Sequence, residues 1–575
     1  PTDVFKALAD ETRTRISLLI AREGDPNLST LFELATRDAQ AGAASLTPRG
    51  PKPYPIIGNL RDLRSKEPLA TIEDLVRTYD GFVRIKLPNA NVYICSDADV
   101  VQDLRTRTDV FQKKTIGDSS PLGHLRSYGG ASDGLFTAED SEESWHVAHR
   151  VLLPTMGANA LKQYYPRILE ICDQLIEHLV RLPAGKSFLG TDLMTRMTFE
   201  TISYCGFNKR FNCIDSVEPI PFVEAMVDVL KDANAAPRNI LPPKFHPIDS
   251  AKRERAVAVL ESTVDGLIQE RKEALAAGKP MPNDILQTML TTRDRVTGKK
   301  LPDANIRAQL ITFLIAGHET TSGLLSYTLY LLSKNPEVEQ RLLAEVDQVL
   351  GRDYDRRPTY HDIERLDYTM RVLKEALRLY PTAPGFAKTI MQDTVVGGKY
   401  AVSKGQRIVT FLPGLHRSKH YWGDDPERFD PDRFLPEAEA QRHPDAYHPF
   451  GIGMRSCIGF QFALLEARLV LALLYQRFRV RLADPGYRME HVQALTIKPK
   501  DLYLLLDPRA EEKGRRPQPP MRGPRMPHPA VARPTPPHDQ PADPLVGGVG
   551  DPYARQPPAQ PRLAAQQPAA AGQHQ

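Results

Sequence analysis

Phe450-Gly-Ile-Gly-Met-Arg-Ser-Cys457-Ile-Gly459-Phe460 is the stretch on which the reading of this 575-residue chain turns. A thiolate is a soft metal ligand, and the residues around Cys457 suit one. Gly451, Gly453 and Gly459 let the backbone turn sharply and pass close to a flat partner. Arg455, two residues before the sulfur, brings positive charge to the thiolate and a fork that matches a carboxylate. An apolar helical run, Phe460 to Leu474, begins just after Gly459, so the sulfur lies before a helix N-terminus, where free N–H groups and the dipole favour an anion. A lone cysteine is more often a buried structural thiol; the spacing, not the residue, carries the inference.

The pattern Phe450-x-x-Gly453-x-Arg455-x-Cys457-x-Gly459 resembles, position for position, the cysteine-loop signature of the haem-thiolate monooxygenases, the cytochromes P-450. The resemblance implies haem b with Cys457 as axial ligand of its iron, a ligation that favours O–O cleavage. It implies Arg455 on a haem propionate, Gly451 in the loop beneath the cofactor, and Phe450 packed near the thiolate. It also implies a fold that is mainly α with small β-sheets.

Two further stretches supply context. In Phe313-Leu-Ile-Ala316-Gly317-His318-Glu319-Thr320-Thr321 the apolar residues Leu310, Phe313, Leu314, Leu324 and Leu325 recur at helical spacing, which predicts a long buried helix. A Gly, an acid and two Thr in its middle are poor helix chemistry, since Gly costs about 1 kcal/mol there and Thr bonds back to the preceding turn. Local inconsistency of this kind belongs to functional sites; otherwise it is a kink in a core helix. The stretch resembles the family's oxygen-binding helix. There Gly317 would open the helix over the iron, Thr320 would order oxygen and water, and Glu319 would relay protons. In Lys374-Glu375-Ala-Leu-Arg378-Leu-Tyr380-Pro381, Glu375 and Arg378 share a helix face at i,i+3. They resemble the family's Glu-x-x-Arg pair, with Arg433 of the Pro-rich run Trp422–Phe434 as third member, a structural network that supports the cysteine loop.

The chain carries 75 Lys and Arg against 71 Asp and Glu. This near balance gives no nucleic-acid signature. Five cysteines (Cys95, Cys172, Cys205, Cys213, Cys457) form no disulfide framework, which argues for a reducing compartment. No secretory signal or span of about 20 apolar residues is read, so a cytoplasmic protein without a membrane anchor is expected. Residues 1–46 read as an amphipathic helical extension. It is similar to the start of small winged-helix repressors but lacks a recognition helix. The main domain is expected over 47–507. Residues 508–575, rich in Pro, Ala and Gln, are expected to form a disordered tail. Within the domain, a helix is predicted over Thr71–Tyr79, strands over Val83–Leu87 and Asn91–Ser96, and a small β region over Thr394–Val409.

Gly134-Leu-Phe-Thr, Cys205-Gly-Phe-Asn-Lys-Arg-Phe-Asn and Pro381-Thr-Ala-Pro384 narrow the resemblance to the haem domain of self-sufficient bacterial fatty-acid hydroxylases, in which a diflavin reductase follows. That likeness implies Phe136 over the haem, Ala316 and Ala383 lining the same pocket, and Lys113, Trp145 and His149 around the haem and its propionates. Ordinary core packing is the plain alternative for the apolar positions. The hairpin that anchors the carboxylate in that group offers Tyr93 here but no Arg, and an insertion near Gly117–Gly130 lengthens the loop before Phe136. No flavin-binding half is read after Pro508. Electrons are therefore expected from NADPH through a flavin reductase, or from a flavodoxin or ferredoxin. The activity implied is insertion of one atom of O2 into C–H bonds of an apolar substrate, most simply subterminal hydroxylation of medium- or long-chain fatty acids. The alternatives are another hydrophobic small molecule (terpenoid, polyketide or xenobiotic) and a non-catalytic haem sensor.

Overall fold

The computed structural model describes residues 47–511 except 56, 64–67, 89, 116–120, 128–132, 236–249 and 494. The N-terminal extension and the tail from 512 onward lie outside the described residues, as do both flanks of the insertion before Phe136; its middle forms the helix Pro121–Ser127.

Eight helices carry the frame: α1 (Glu143–Leu152), α2 (Ala158–Val180), α3 (Gly190–Phe207), α4 (Pro221–Ala235), α5 (Ser250–Ala276), α6 (Asp303–Lys334), α7 (Asp367–Leu379) and α8 (Phe460–Arg477). Helix α6 is apolar on nearly every side, and its side chains are buried from Asn305 to Leu332 with few interruptions. A helix of that composition can only run through the middle of a fold. Its closest neighbour is α3: a Cβ on Gly317 would stand 2.5 Å from Cγ1 of Ile202 on that helix. Gly317 therefore lets two helices meet, and α6 continues unbroken through it. The expected opening of the helix at this glycine is not observed. Helix α8 is the second central element, with its whole middle buried from Leu465 to Gln476.

Beside the helices stands a five-stranded sheet. Strands β1 (Phe82–Lys86) and β2 (Asn91–Cys95) form the predicted hairpin. Next in chain order come β3 (Phe111–Gln112), the two-residue β4 (Phe188–Leu189), β5 (Gly385–Ile390), the small hairpin of β6 (Thr394–Val396) and β7 (Tyr400–Val402), and β8 (Arg407–Phe411). The sheet order is β1-β2-β8-β5-β3, with β2 and β8 parallel and the other pairs antiparallel. Strands β9 (Phe478–Leu482), β10 (His491–Gln493), β11 (Ile497–Pro499) and β12 (Tyr503–Pro508) close the domain. Strand β12 pairs Pro508 with Phe478, and the Arg509 guanidinium sits on Asp347 at 2.7 and 2.9 Å. Regular structure thus extends slightly past residue 507. All five cysteines are free thiols, four buried and Cys457 exposed. Among the described residues, no helix is long and apolar enough to cross a membrane.

Candidate active site

Helix α6 is exposed in one place midway. Ala316 is exposed and Thr320 half-buried, although the helix is otherwise wrapped in protein. One turn apart, they share a face, and that face borders a cavity of about 320 Å³. Phe136, from the loop before α1, and Ala383, just ahead of β5, border the same cavity, as do Lys113, Glu319, Gly451 and Arg455; Cys457 and Phe450 are not among its lining residues. The remaining walls are mostly apolar, including Leu125, Leu230, Ile315 and Leu495. Apolar walls with a few convergent polar groups describe a small-molecule site.

The cysteine loop forms at one edge. The Cys457 N–H donates to the Phe450 carbonyl at 2.8 Å, closing the loop, and Gly451 and Gly453 take φ of +80° and +57°, which a side chain would strain. Gly459 has an ordinary φ of −96° and caps α8; its role is the helix start rather than a forced turn. The surrounding protein pushes the Cys457 thiol pKa up, against a lowering hydrogen bond from the backbone at Gly459. The Phe450 ring packs on Phe460 at 5.9 Å.

Cations crowd the next wall. Arg455 donates to Asp140 Oδ1 at 2.5 Å and to the Leu135 carbonyl at 3.2 Å, and its guanidinium lies 3.9 Å over the Trp145 ring. Its Nη2 is buried with no hydrogen-bond partner among the described residues. Lys113 donates to the Phe136 carbonyl. Burial, then Arg455, pull the Lys113 pKa down to about 7, against Asp140. Lys388, from β5, reaches Asp140 Oδ2 at 3.2 Å. Arg455 and Lys388 thus share one carboxylate, which also accepts from the Lys113 N–H, and an orphaned guanidinium nitrogen beside the cavity suits an anion. The carboxylates of haem fit this wall, and a mostly apolar hollow lies between α6 and the cysteine loop. Trp145 and His149, expected around the cofactor, stand one layer back: Trp145 supports Arg455, and His149 stacks on Trp145 at 4.7 Å. Neither borders the cavity, nor does Gly317.

Glu319 touches the cavity with its other side in a polar cluster. Lys498 pairs with its Oε2 at 2.9 Å, Thr496 donates to Oε1 at 2.8 Å, and His318 Nε2 lies 3.7 Å from Oε2. Burial would raise the carboxyl pKa, but the Lys498 charge and the hydrogen bonds from Lys498 and Thr496 outweigh it and hold Glu319 below its ordinary range. His318 is driven down to about 4, chiefly by burial, and is neutral. Among the described residues, Thr320 Oγ1 makes one hydrogen bond, a long 3.2 Å donation back to the Ala316 carbonyl.

Tyr93 is a correction. It is buried in a second core beneath the sheet, 5.4 Å from the Phe82 ring, and its hydroxyl donates to Gln406. It does not border the cavity. The alternation of β2 turns its side chain toward the core, a register that the hairpin sequence alone leaves open. Beneath the site, Arg378 holds Glu375 at 2.6 and 2.7 Å and spans to the carbonyls of His416, Pro426 and Arg428, while Arg433 Nε stands 3.6 Å from Glu375.

The cytochrome P-450 family profile matches residues 48–506. The chain belongs to the cytochrome P-450 family. Curated relatives include a bifunctional cytochrome P-450/NADPH–P-450 reductase of Bacillus cereus, 39% identical over 80% of this chain and 42% of its own. A second such protein, from Bacillus subtilis, is 40% identical over 81% of this chain and 43% of its own. A self-sufficient cytochrome P-450 monooxygenase of Aspergillus terreus is 37% identical over 78% and 42%. The chain spans less than half the length of these relatives. Members of this family are haem proteins, which agrees with the donor set at Cys457 and the cation wall.

Sequence reasoning missed Lys388, Asp140, Thr496 and Lys498. Lys388 and Lys498 stand in otherwise apolar strand segments, a signal that was legible; Asp140 had none.

Proposed function

We propose that this chain is the haem domain of a monooxygenase that inserts one oxygen atom from O2 into a C–H bond of an apolar substrate. The observation that carries the reading is the accessible Ala316–Thr320 face of a buried helix, which borders one cavity together with Phe136, Ala383 and the cation wall. Thiolate-held haem supplies the oxygen chemistry when bound. Cys457 would hold its iron, and Arg455, Lys113 and Lys388 would take its carboxylates. The apolar walls bind the substrate and exclude water. Thr320 would release its long bond to the Ala316 carbonyl and donate into the cavity. Glu319, ionised beside Lys498, relays protons from solvent toward the Thr320 face. Electrons come from NADPH through a flavin reductase, or from a flavodoxin or ferredoxin, docking near Cys457.

Medium- and long-chain fatty acids hydroxylated within the chain are the first substrate class, on likeness to the self-sufficient hydroxylases. One observation favours another apolar small molecule: the Tyr93 hydroxyl is spent on Gln406, so the hairpin offers no phenol to a carboxylate.

The reduced, carbon-monoxide-bound protein should show a strongly red-shifted Soret band, lost in Cys457→His; a histidine-type spectrum in the intact protein would end the reading. Dodecanoic acid and a terpene of similar size, assayed with a surrogate reductase, separate the substrate classes. Thr320→Ala should keep haem but divert electrons to hydrogen peroxide; unchanged product per NADPH would remove its role.

A further inference from the structure

Phe136 is 43% exposed, a large aromatic ring standing in a cavity at the tip of an irregular loop. A ring so placed needs its backbone held, and nearly every polar group of that backbone has an assigned partner. The Phe136 carbonyl accepts from Lys113 and the Leu135 carbonyl from Arg455. The Thr137 carbonyl accepts from Thr115 at 2.7 Å and from Arg126 at 3.2 Å. Lys113 and Arg455 are the cations assigned above to the cofactor carboxylates, so two of these anchors are shared.

Two amides of α6 are not shared. The Leu135 N–H donates to Gln309 Oε1 at 2.9 Å. Gln309 Nε2 donates to Asn305 Oδ1 at 3.2 Å, and Asn305 Nδ2 donates to the Asp133 carbonyl at 3.1 Å and to its Oδ2 at 2.9 Å. Both amides are buried, at 1% and 0% exposure, in a helix whose neighbouring side chains are apolar. They lie one turn apart, and the next turn carries Thr312, which borders the cavity. The loop meets this face at Gly134, where a Cβ would stand 2.3 Å from Thr312 Oγ1 and 3.0 Å from the Ala308 carbonyl. A buried amide pair costs free energy unless every partner is in place; here the partners are the loop itself.

We propose that Asn305 and Gln309 are positioning residues. They form an amide clamp that fixes the Phe136 ring in the cavity independently of the cofactor, and so set how much room a ligand has beside the ring. This deepens the proposed function and rests on haem occupying the cavity.

The test uses haem-loaded protein and 4-phenylimidazole, whose binding shifts the Soret band without turnover. Gln309→Leu removes acceptor and donor, whereas Gln309→Glu keeps the acceptor for Leu135. The dissociation constant should change about five-fold or more in Gln309→Leu and within about two-fold in Gln309→Glu, and Gln309→Leu should have no further effect on a Phe136→Ala background. An equal effect in both backgrounds, or none in either, overturns the clamp. If no azole shift occurs in the wild-type protein, the haem reading falls and the clamp with it. Should Gln309→Leu fail to fold, amide exchange in the wild-type loaded protein decides: Leu135 N–H should exchange slowly for a loop amide, and rapid exchange would overturn the proposal.

Discussion

Two buried clusters of charge lie in this domain, and their difference separates support from binding. In the first, Arg378 and Glu375 are both fully buried. Arg378 makes two bonds to Glu375 and three to carbonyls, and Glu375 also accepts from the Asp430 N–H at 2.9 Å. In the second, Arg455, Lys113 and Lys388 gather round Asp140, and Arg455 keeps an orphaned nitrogen. The Glu375–Arg378 pair is saturated, although its neighbour Arg433 also has a buried Nε without a hydrogen-bond partner among the described residues; the unmet donor of Arg455 differs in bordering the cavity, where an anion can reach it. The first cluster ties α7 to the Trp422–Phe434 meander, and the second borders the cavity.

The comparison breaks first at Arg378. Arg378→Ala leaves a buried carboxylate without its partner and should cost about 3–5 kcal/mol, read as a lower urea midpoint with unchanged slope. A loss below about 1 kcal/mol would mean that the pair behaves like a surface bridge. Arg455→Leu should cost about 1–3 kcal/mol at most, because Asp140 keeps Lys388 and the Lys113 N–H at 2.7 Å. It should instead lower the haem-to-protein ratio after gel filtration. Equal damage to stability in the two variants would erase the distinction.

Much of the frame was legible in sequence. The cysteine loop, the buried periodicity of α6 and the hairpin strands follow from local chemistry, and the observed strands Phe82–Lys86 and Asn91–Cys95 lie within one residue of their predicted ends. What escaped were properties of pairs far apart in the chain. Asp140 takes its meaning from Arg455, 315 residues away. Gly317 reads as a helix opener until Ile202 is seen against it. Tyr93 fails as a pocket residue because the pleat, not the residue type, chooses the face. Each is set by how elements dock, which no window of sequence contains.

The finest test of the comparison is a proton. Lys113 has its pKa pulled from 10.5 to about 7, first by burial and then by Arg455. An unfolded chain keeps that lysine charged to near pH 10, so between about pH 7 and 10 the unfolded state binds more protons and Lys113 makes the cofactor-free protein gain stability as pH rises. A carboxylate placed beside Lys113 favours the ammonium. Haem loading should therefore take up a proton above pH 7, and haem affinity should decline as pH climbs. Calorimetry at pH 8 in two buffers of different ionisation heat would measure the uptake, and Lys113→Met should abolish it. Glu375 and Arg378 do not border the cavity, so any pH dependence of haem affinity that survives in Lys113→Met must originate elsewhere on the wall, with Lys388 the next cation to replace.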